Sequence, residues 1–292
     1  MTNIKIAGAP ISWGVCEVPG WGFQLGQSRV LDEMREVGYT ACEFGPLGFL
    51  PEAATERAAF LAAHGLKAVG GFLPVVLHDA NHDIEPELRA ELEVFRQAGA
   101  EVLVLAASTG VEGYDDKPIL EDEGWDTLIA NLDKAVALAA EYGVLAVIHP
   151  HVGTMVENKY DVERVVAESE IGFCLDSGHM MIGGTDPGWF AQSYPERVKH
   201  AHLKDVRREV AERVISREIS YYDAVVAGLY TPLGQGDVDI ATIVNSMLDA
   251  GYTGWFVLEQ DTVVDADPAA GEGPIADSAA SVAYLKSLVA AR

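Results

Sequence analysis

The sequence predicts a single (β/α)₈ barrel that spans residues 1–292. The first reason is length, because 292 residues is close to the usual size of one such barrel. The second is pattern, because short apolar segments alternate with longer amphipathic ones, as in parallel strands covered by helices. The third is continuity, because no composition shift or long linker marks a second domain.

Eight segments have the apolar composition of buried strands. Their near-continuous apolar runs are typical of a parallel sheet buried on both faces. Eight such units favour a closed barrel over an open doubly wound sheet. In chain order the predicted strands cover residues 4–9, 41–45, 67–73, 101–107, 145–150, 172–178, 198–204 and 255–260.

The segments between these strands have a helical period. In residues 28–38, one face of the predicted helix carries Val30, Leu31, Met34 and Val37. Each predicted helix has a glycine at or near its end, which is a common C-terminal stop. The other clear helical segments are residues 56–65, 87–100 and 125–143.

The connection between the seventh and eighth strands is unusually long. Its central part, residues 206–237, follows the carboxyl end of a strand, where barrels of this kind hold their active sites. A long excursion at this end is interpreted as a lid or as an oligomer contact. A simple additional surface helix explains it equally well.

Composition limits the classes of partner. The net charge is −25, from 45 acidic and 20 basic residues, and such a field repels nucleic acid and anionic membrane surfaces. The three cysteines lack CxxC spacing, which indicates reduced thiols. We expect neither an export signal nor a membrane span, because the sequence has no run of 18 apolar residues and residues 1–10 lack the pattern of a signal peptide. We therefore expect a cytoplasmic protein that acts on a small molecule, with a homo-oligomer as an open alternative to a monomer.

Polar residues gather at the carboxyl ends of the predicted strands. Seven of the eight histidines lie near these ends, whereas His64 falls within a helix. Asp176 and Glu259 directly follow apolar strand residues, where a buried carboxylate needs a partner. Few basic residues are nearby, so a divalent cation is favoured over an ion-pair network as the counter-charge. Nitrogen and oxygen ligands suit Mn²⁺, Co²⁺, Fe²⁺, Zn²⁺ or Mg²⁺.

Four motifs carry a resemblance that covers nearly the whole chain. "LDSGH", "HAHLKDVR", "PLGQGDVD" and "VLEQD", in this order and spacing, resemble the xylose-isomerase-like TIM barrels, which include sugar isomerases, epimerases and inosose dehydratases. The opening "GAPISWGVCEVPGWG" and the later "EFGPLGFLP" are most similar to the inosose (2-keto-myo-inositol) dehydratase branch. The resemblance therefore implies the barrel fold, a divalent metal with Mn²⁺ or Co²⁺ foremost, and a polyol or sugar substrate.

The resemblance also implies a set of metal ligands. In the family a Glu, an Asp, a His and a Glu at four successive strand ends hold the metal. The motifs carry the last three onto Asp176, His202 and Glu259. At the fifth strand the family has Glu-Asn-His, whereas this sequence has His149-Pro150-His151. His149 therefore takes the place of the first glutamate as the fourth expected ligand.

The remaining site residues follow from the same comparison and from their places at strand ends. Trp13 is expected to stack on a sugar or cyclitol face, although a place in the core is an equal alternative. The acid–base candidates, which the sequence does not rank, are His151, His179, Lys204 and Glu259. The residues expected to line the substrate pocket are Trp13, Glu43, His78 and Arg208.

The histidine at position 149 favours one reaction class. Isomerases and epimerases of this family use two glutamates as a paired acid and base, and His149 disturbs that pair. A dehydratase instead needs a base for the proton next to a ketone and an acid for the departing hydroxyl, and imidazole can serve in several of these roles. The leading interpretation is a metal-dependent carbon–oxygen lyase that eliminates water from a keto-polyol such as 2-keto-myo-inositol.

Three alternatives stay open at this stage. The first is a sugar or sugar-phosphate isomerase or epimerase that uses the same metal site. The second is a metal-dependent DNA repair endonuclease, which the acidic net charge disfavours because DNA binding needs a basic surface. The third is a sugar-binding barrel without catalytic activity.

Overall fold

The protein folds into a barrel of parallel strands surrounded by helices. The structure is a computed structural model that describes residues 4–111, 113–115 and 117–292. The strands are β1 (Lys5–Gly8), β2 (Ala41–Cys42), β3 (Lys67–Ala68), β4 (Gly70–Val75), β5 (Val102–Ala107), β6 (Leu145–Ile148), β7 (Gly172–Asp176), β8 (Val198–Leu203), β9 (Asp205–Val206), β10 (Tyr230–Thr231) and β11 (Trp255–Leu258). The helices are α1 (Gln27–Val37), α2 (Ala54–Ala63), α3 (Glu85–Ala98), α4 (Asp122–Glu141), α5 (Lys159–Glu168), α6 (Ser177–Ile182), α7 (Pro187–Ser193), α8 (Arg208–Ile215), α9 (Tyr221–Val226), α10 (Ile240–Asp249) and α11 (Pro274–Ala290). Short 3₁₀ helices cover Pro10–Trp13 and Pro195–Arg197.

The barrel closes within the third predicted strand. Neighbouring strands run in the order β3-β2-β1-β11-β8-β7-β6-β5-β4, all parallel, so β3 and β4 stand at the two edges. Val69 joins these edges, since its N–H donates to the carbonyl of Cys42 at 3.0 Å and its carbonyl accepts from the N–H of Val102 at 3.0 Å. The predicted TIM barrel is therefore confirmed, with its third strand divided where it changes partner.

Gly70 sits at this change of partner, and we expect Gly70→Ala to destabilise the barrel. A methyl group there would overlap the backbone carbonyl of Val102, so β4 and β5 would have to separate. The free energy of unfolding, measured by chemical denaturation, should fall by about 3 kcal/mol or more. Gly26→Ala is the control, because Gly26 has a negative φ and an added Cβ meets no described atom within 4 Å. Equal stability of the two variants would contradict this account of closure.

The predicted helices form and pack on the barrel as their periodicity indicates. On α1, Val30, Leu31 and Met34 are fully buried, whereas Val37 at the end of the helix is half-buried. Burial of each such side chain contributes about 1.5–3 kcal/mol to folding. None of the helices in the described ranges has the length and hydropathy that a membrane span requires.

The long excursion of residues 206–237 is folded rather than a simple loop. It contains α8 and α9, and its ends pair as the antiparallel strands β9 and β10, with Val206 opposite Tyr230. Tyr221, the first residue of α9, is buried and reaches the cavity at the mouth of the barrel. The excursion thus forms one wall of the mouth, and its role as an oligomer contact stays a prediction.

Candidate active site

Strand geometry explains why the polar side chains converge. Successive side chains of a strand point to opposite faces, so every second residue points into the barrel. Inside the barrel, Val147 of β6 and Cys174 of β7 belong to one buried cluster. Two residues further along each strand come His149 and Asp176, at the carboxyl end of the barrel.

The same alternation continues on the neighbouring strands. On β8 and just beyond it, His200, His202 and Lys204 occupy alternate positions and are all buried. After β11, Glu259 and Asp261 are spaced in the same way and are also buried. The sequence pattern of two-residue spacing therefore becomes one cluster of side chains around the barrel axis.

Asp176 has its two carboxylate oxygens in different roles. Its Oδ1 caps helix α6 by accepting hydrogen bonds from the N–H groups of Gly178 at 2.9 Å and His179 at 2.8 Å. Its Oδ2 faces the interior, 3.2 Å from His149 Nε2 and 3.7 Å from His202 Nδ1. Burial alone would raise the pKa of Asp176, but the charge of Lys204 and these partners hold it well below its usual range.

Lys204 is the buried cation of the cluster. Its Nζ lies 3.3 Å from Asp176 Oδ2, 3.0 Å from Glu259 Oε2 and 3.0 Å from Asp261 Oδ1. Burial acts to lower the pKa of Lys204, but the three carboxylates reverse this effect and raise it well above the ordinary value. The amine therefore keeps its proton at neutral pH and can donate it to a bound group.

Glu43 contacts histidines rather than acting as a simple wall of the pocket. One of its oxygens, Oε1, accepts from His200 Nε2 at 2.8 Å and from His202 Nε2 at 3.1 Å. Burial raises the pKa of Glu43, but the charge of His202 and the two hydrogen bonds outweigh it and hold the pKa below the usual range. A carboxylate that fixes one nitrogen of an imidazole leaves the other nitrogen oriented for a ligand.

The side chains fit a divalent cation. Within the described part of the chain, His202 Nδ1 is buried without a hydrogen-bond partner, and it lies 3.3 Å from Glu259 Oε2. The distances from His202 Nδ1 to the carboxylate oxygens of Glu259 and Asp176 are similar to the distance between two atoms that bind the same ion, each about 2.1 Å from it. Asp176, His202 and Glu259 form one such group, and His149 joins Asp176 in a second.

The charge of the cluster is also compatible with a divalent cation. Four carboxylates, those of Glu43, Asp176, Glu259 and Asp261, are buried here. Lys204 supplies one permanent positive charge against them. Burial raises the pKa of Glu259, although the nearby His202 and Lys204 act to lower it. A divalent ion would balance these charges with oxygen and nitrogen ligands that such ions prefer.

His151 and His179 form a stacked pair beside Lys204. Their ring centroids are 3.7 Å apart, and His179 Nε2 lies 3.1 Å from Lys204 Nζ. Burial lowers the pKa of His151 to about 4, and burial also lowers that of His179 well below its ordinary value. Both imidazoles are therefore neutral at neutral pH and can accept a proton.

Two tyrosines and an aspartate complete the cluster. The Tyr221 hydroxyl donates to Asp261 Oδ2 at 2.7 Å and lies 2.8 Å from the hydroxyl of Tyr230. Sequence reasoning did not select these residues. The two-residue spacing from Glu259 could have identified Asp261, whereas both tyrosines come from the excursion and lie outside its amphipathic helix α8.

Three residues expected in the pocket lie away from the cavity, and for Trp13 the structure shows the alternative place in the core. Trp13 is fully buried in the core, because its 3₁₀ helix turns the indole towards Glu33, to which its N–H donates at 2.7 Å. Arg208 begins α8 and is exposed to solvent. His78 follows β4 where the loop turns outward, and it lines a separate open depression with Asp79 and His82.

The other predicted residues do meet, around one cavity. It has a volume of about 700 Å³ and opens at the carboxyl ends of the strands. His179 and Asp176 lie directly behind its wall, at the start of α6. The predicted residues that border the cavity are Glu43, His149, His151, His202, Lys204 and Glu259.

Comparison with known proteins finds relatives that are similar over most of the chain. The chain is 31% identical to an inosose dehydratase of Geobacillus kaustophilus over 271 residues, which cover 88% of this chain and 87% of the relative. It is 32% identical to the rhizopine catabolism protein MocC of Rhizobium meliloti, over 89% of this chain and 82% of that protein.

Solved structures share the fold. An L-ribulose 3-epimerase superposes with a TM-score of 0.72 at 15% identity, covering 99% of this chain and 95% of its own. The IOLI protein with a bound zinc atom superposes with a TM-score of 0.70 at 15% identity, covering 99% of both chains. The xylose isomerase-like TIM barrel model matches residues 31–288, which confirms the resemblance carried by the strand-end motifs. The chain therefore belongs to the xylose isomerase-like TIM barrel family.

Proposed function

We propose that this protein is a metal-dependent dehydratase that eliminates water from a cyclic keto-polyol such as 2-keto-myo-inositol. The observation that carries the proposal is that Lys204 and His151 border one cavity, next to a group of side chains suited to a divalent cation. An elimination needs a proton donor and a proton acceptor that both reach the substrate. The dehydratase relatives, about 30% identical over most of the chain, support the same reaction.

The proposed metal ligands are His149, Asp176, His202 and Glu259, and Mn²⁺ or Co²⁺ is the expected ion. Such an ion supplies electrostatic stabilisation for the negative charge that develops on a ketone oxygen. Glu43 acts through His202, since its carboxylate holds His202 Nε2 and leaves Nδ1 free to bind. Glu43 also borders the cavity, so its expected contact with substrate stays a prediction.

The proton transfers are assigned to the residues beside this group. His151, which borders the cavity, accepts the proton from the carbon next to the ketone, and the electrons of that C–H bond form a carbon–carbon double bond. His179 lies behind the wall and acts through Lys204, whose Nζ is 3.1 Å from its Nε2. The C–O bond of the neighbouring hydroxyl breaks at the same time or afterwards. Lys204 donates a proton to that hydroxyl, which leaves as water. Asp261 holds the ammonium of Lys204 in place at 3.0 Å.

Turnover and metal removal test this proposal together. Incubation with 2-keto-myo-inositol and Mn²⁺ or Co²⁺ should yield the unsaturated product, which tautomerises to a diketone and can be followed by its absorbance and by mass spectrometry. Treatment with a chelator should reduce turnover to background, and added metal should restore it.

A sugar isomerase or epimerase is the alternative, supported by the epimerase fold neighbours. No dehydration of the ketone, together with aldose–ketose or epimer exchange in a sugar panel, would decide for this alternative. Binding of polyols without any turnover would instead indicate a sugar-binding barrel.

A further inference from the structure

The cavity at the barrel mouth has two unlike halves. The candidate catalytic residues follow β6, β8 and β11 and form its polar half. The opposite half is formed by residues that follow β1 and β2 and by residues of β4 and α3. We call this opposite wall the apolar half, and its principal members are Ile11, Trp21, Leu50, Phe72, Leu73 and Val94.

Phe72 joins the two halves. Its ring centroid lies 5.9 Å from that of His149, edge to face, and 5.6 Å from that of His151. The apolar half therefore begins directly beside the histidines of the polar half. A molecule whose ketone is seated in the polar half would meet Phe72 with whatever it carries on the adjacent carbons.

The cavity is too large for a simple keto-cyclitol. A six-membered keto-polyol has twelve non-hydrogen atoms and takes up roughly 200 Å³ when close-packed. The cavity of about 700 Å³ is in the range of pockets that bury much larger ligands. When such a substrate occupies the polar half, water has to fill the apolar half. Water next to apolar walls is unfavourable, so displacing it would favour binding.

The charges at the cavity restrict what can fill the apolar half. Arg57 is the cation on this side, and its guanidinium is stacked 4.6 Å above the ring of Phe44. Three acidic residues, Glu17, Glu52 and Glu91, line the same side. This excess of negative charge disfavours a phosphate or carboxylate group. Apolar walls disfavour an ammonium group, because its charge would lose hydration there, so an occupant of the apolar half should be uncharged.

We propose that the apolar half is a subsite for an uncharged, apolar substituent on the keto-polyol, such as an alkyl or aryl ether or glycoside. The subsite deepens the proposed function and rests on it for the position of the polyol ring. Burial of such a substituent against Phe72, Leu73 and Val94 would add affinity in proportion to the apolar area removed from water.

Equilibrium binding tests the subsite without requiring turnover. The affinity of the metal-loaded protein for an O-benzyl inositol is compared with that for unsubstituted inositol by calorimetry. The benzyl ether should bind about 10- to 100-fold more tightly. Leu73→Gln should remove most of this advantage and leave the affinity for inositol unchanged. Leu145→Gln is the matched control, because Leu145 is an exposed leucine at the start of β6, far from the cavity.

The outcomes separate the two proposals. Equal affinity for both ligands, weaker binding of the ether, absence of any binding, or an advantage that Leu73→Gln leaves intact would each overturn the subsite. Dehydration of the unsubstituted ketone is measured separately and tests the proposed function alone. The binding comparison therefore reports on the subsite and the turnover assay reports on the dehydratase activity, so either proposal can fail while the other holds.

Discussion

Asp176→Asn is expected to weaken metal binding by more than about 100-fold and to reduce turnover to background. The amide keeps an oxygen that can accept from the N–H groups of Gly178 and His179, so the cap of α6 is preserved. The amide NH₂ replaces Oδ2, which faces His149 and Lys204. An NH₂ group cannot bind a cation and carries no charge to offset that of Lys204.

The fold should survive this substitution. Lys204 keeps its contacts with Glu259 and Asp261, so the free energy of unfolding of the metal-free protein should fall by only about 1–3 kcal/mol. Metal content by elemental analysis, turnover and chemical denaturation measure the three quantities. Asp186→Asn is the matched control, because Asp186 caps α7 in the same way but is exposed outside the cluster. Full metal content in Asp176→Asn would contradict the proposed ligand set.

The sequence was sufficient to predict the barrel because its signals are local. Apolar runs and helical periods mark each strand and helix, and the polar residues that follow β6, β7, β8 and β11 mark the functional end. The division of the third strand at Val69 could not be predicted in this way. It depends on which strands are neighbours on either side, and residues 67–73 have the same composition whether their hydrogen bonds go to one partner or two.

The same distinction applies to the candidate site. Residues fixed to strands by the two-residue alternation, such as His149, His202 and Lys204, meet at the cavity. Trp13 and Arg208 belong to helices that follow strands, where a turn of the backbone decides the direction of the side chain. The sequence alone does not define that direction. Tyr221 reaches the site from the excursion through long-range packing, for which no local pattern exists.

Lys204→Met is expected to separate chemistry from metal binding. Methionine is similar in length but has no proton to donate, so kcat should fall by about 10²- to 10⁴-fold, the usual contribution of a positioned acid. Metal should still bind, because Lys204 is outside the proposed ligand set and its ammonium lies against Asp176 and Glu259, whose oxygens the metal would use. Turnover, metal content and metal affinity are measured on the same preparation.

Stability gives an independent measure of the same lysine. Without metal, Lys204→Met leaves Asp176, Glu259 and Asp261 buried without the ammonium between them, and such a loss costs about 3–5 kcal/mol. Bound metal should recover much of this loss, because a divalent cation restores the missing positive charge. Lys199→Met is the control, because Lys199 lies on the same strand but is exposed, and neither kcat nor stability should change appreciably. Normal kcat in Lys204→Met would remove Lys204 as the acid, whereas loss of metal would mean that the amine supports the ligands directly.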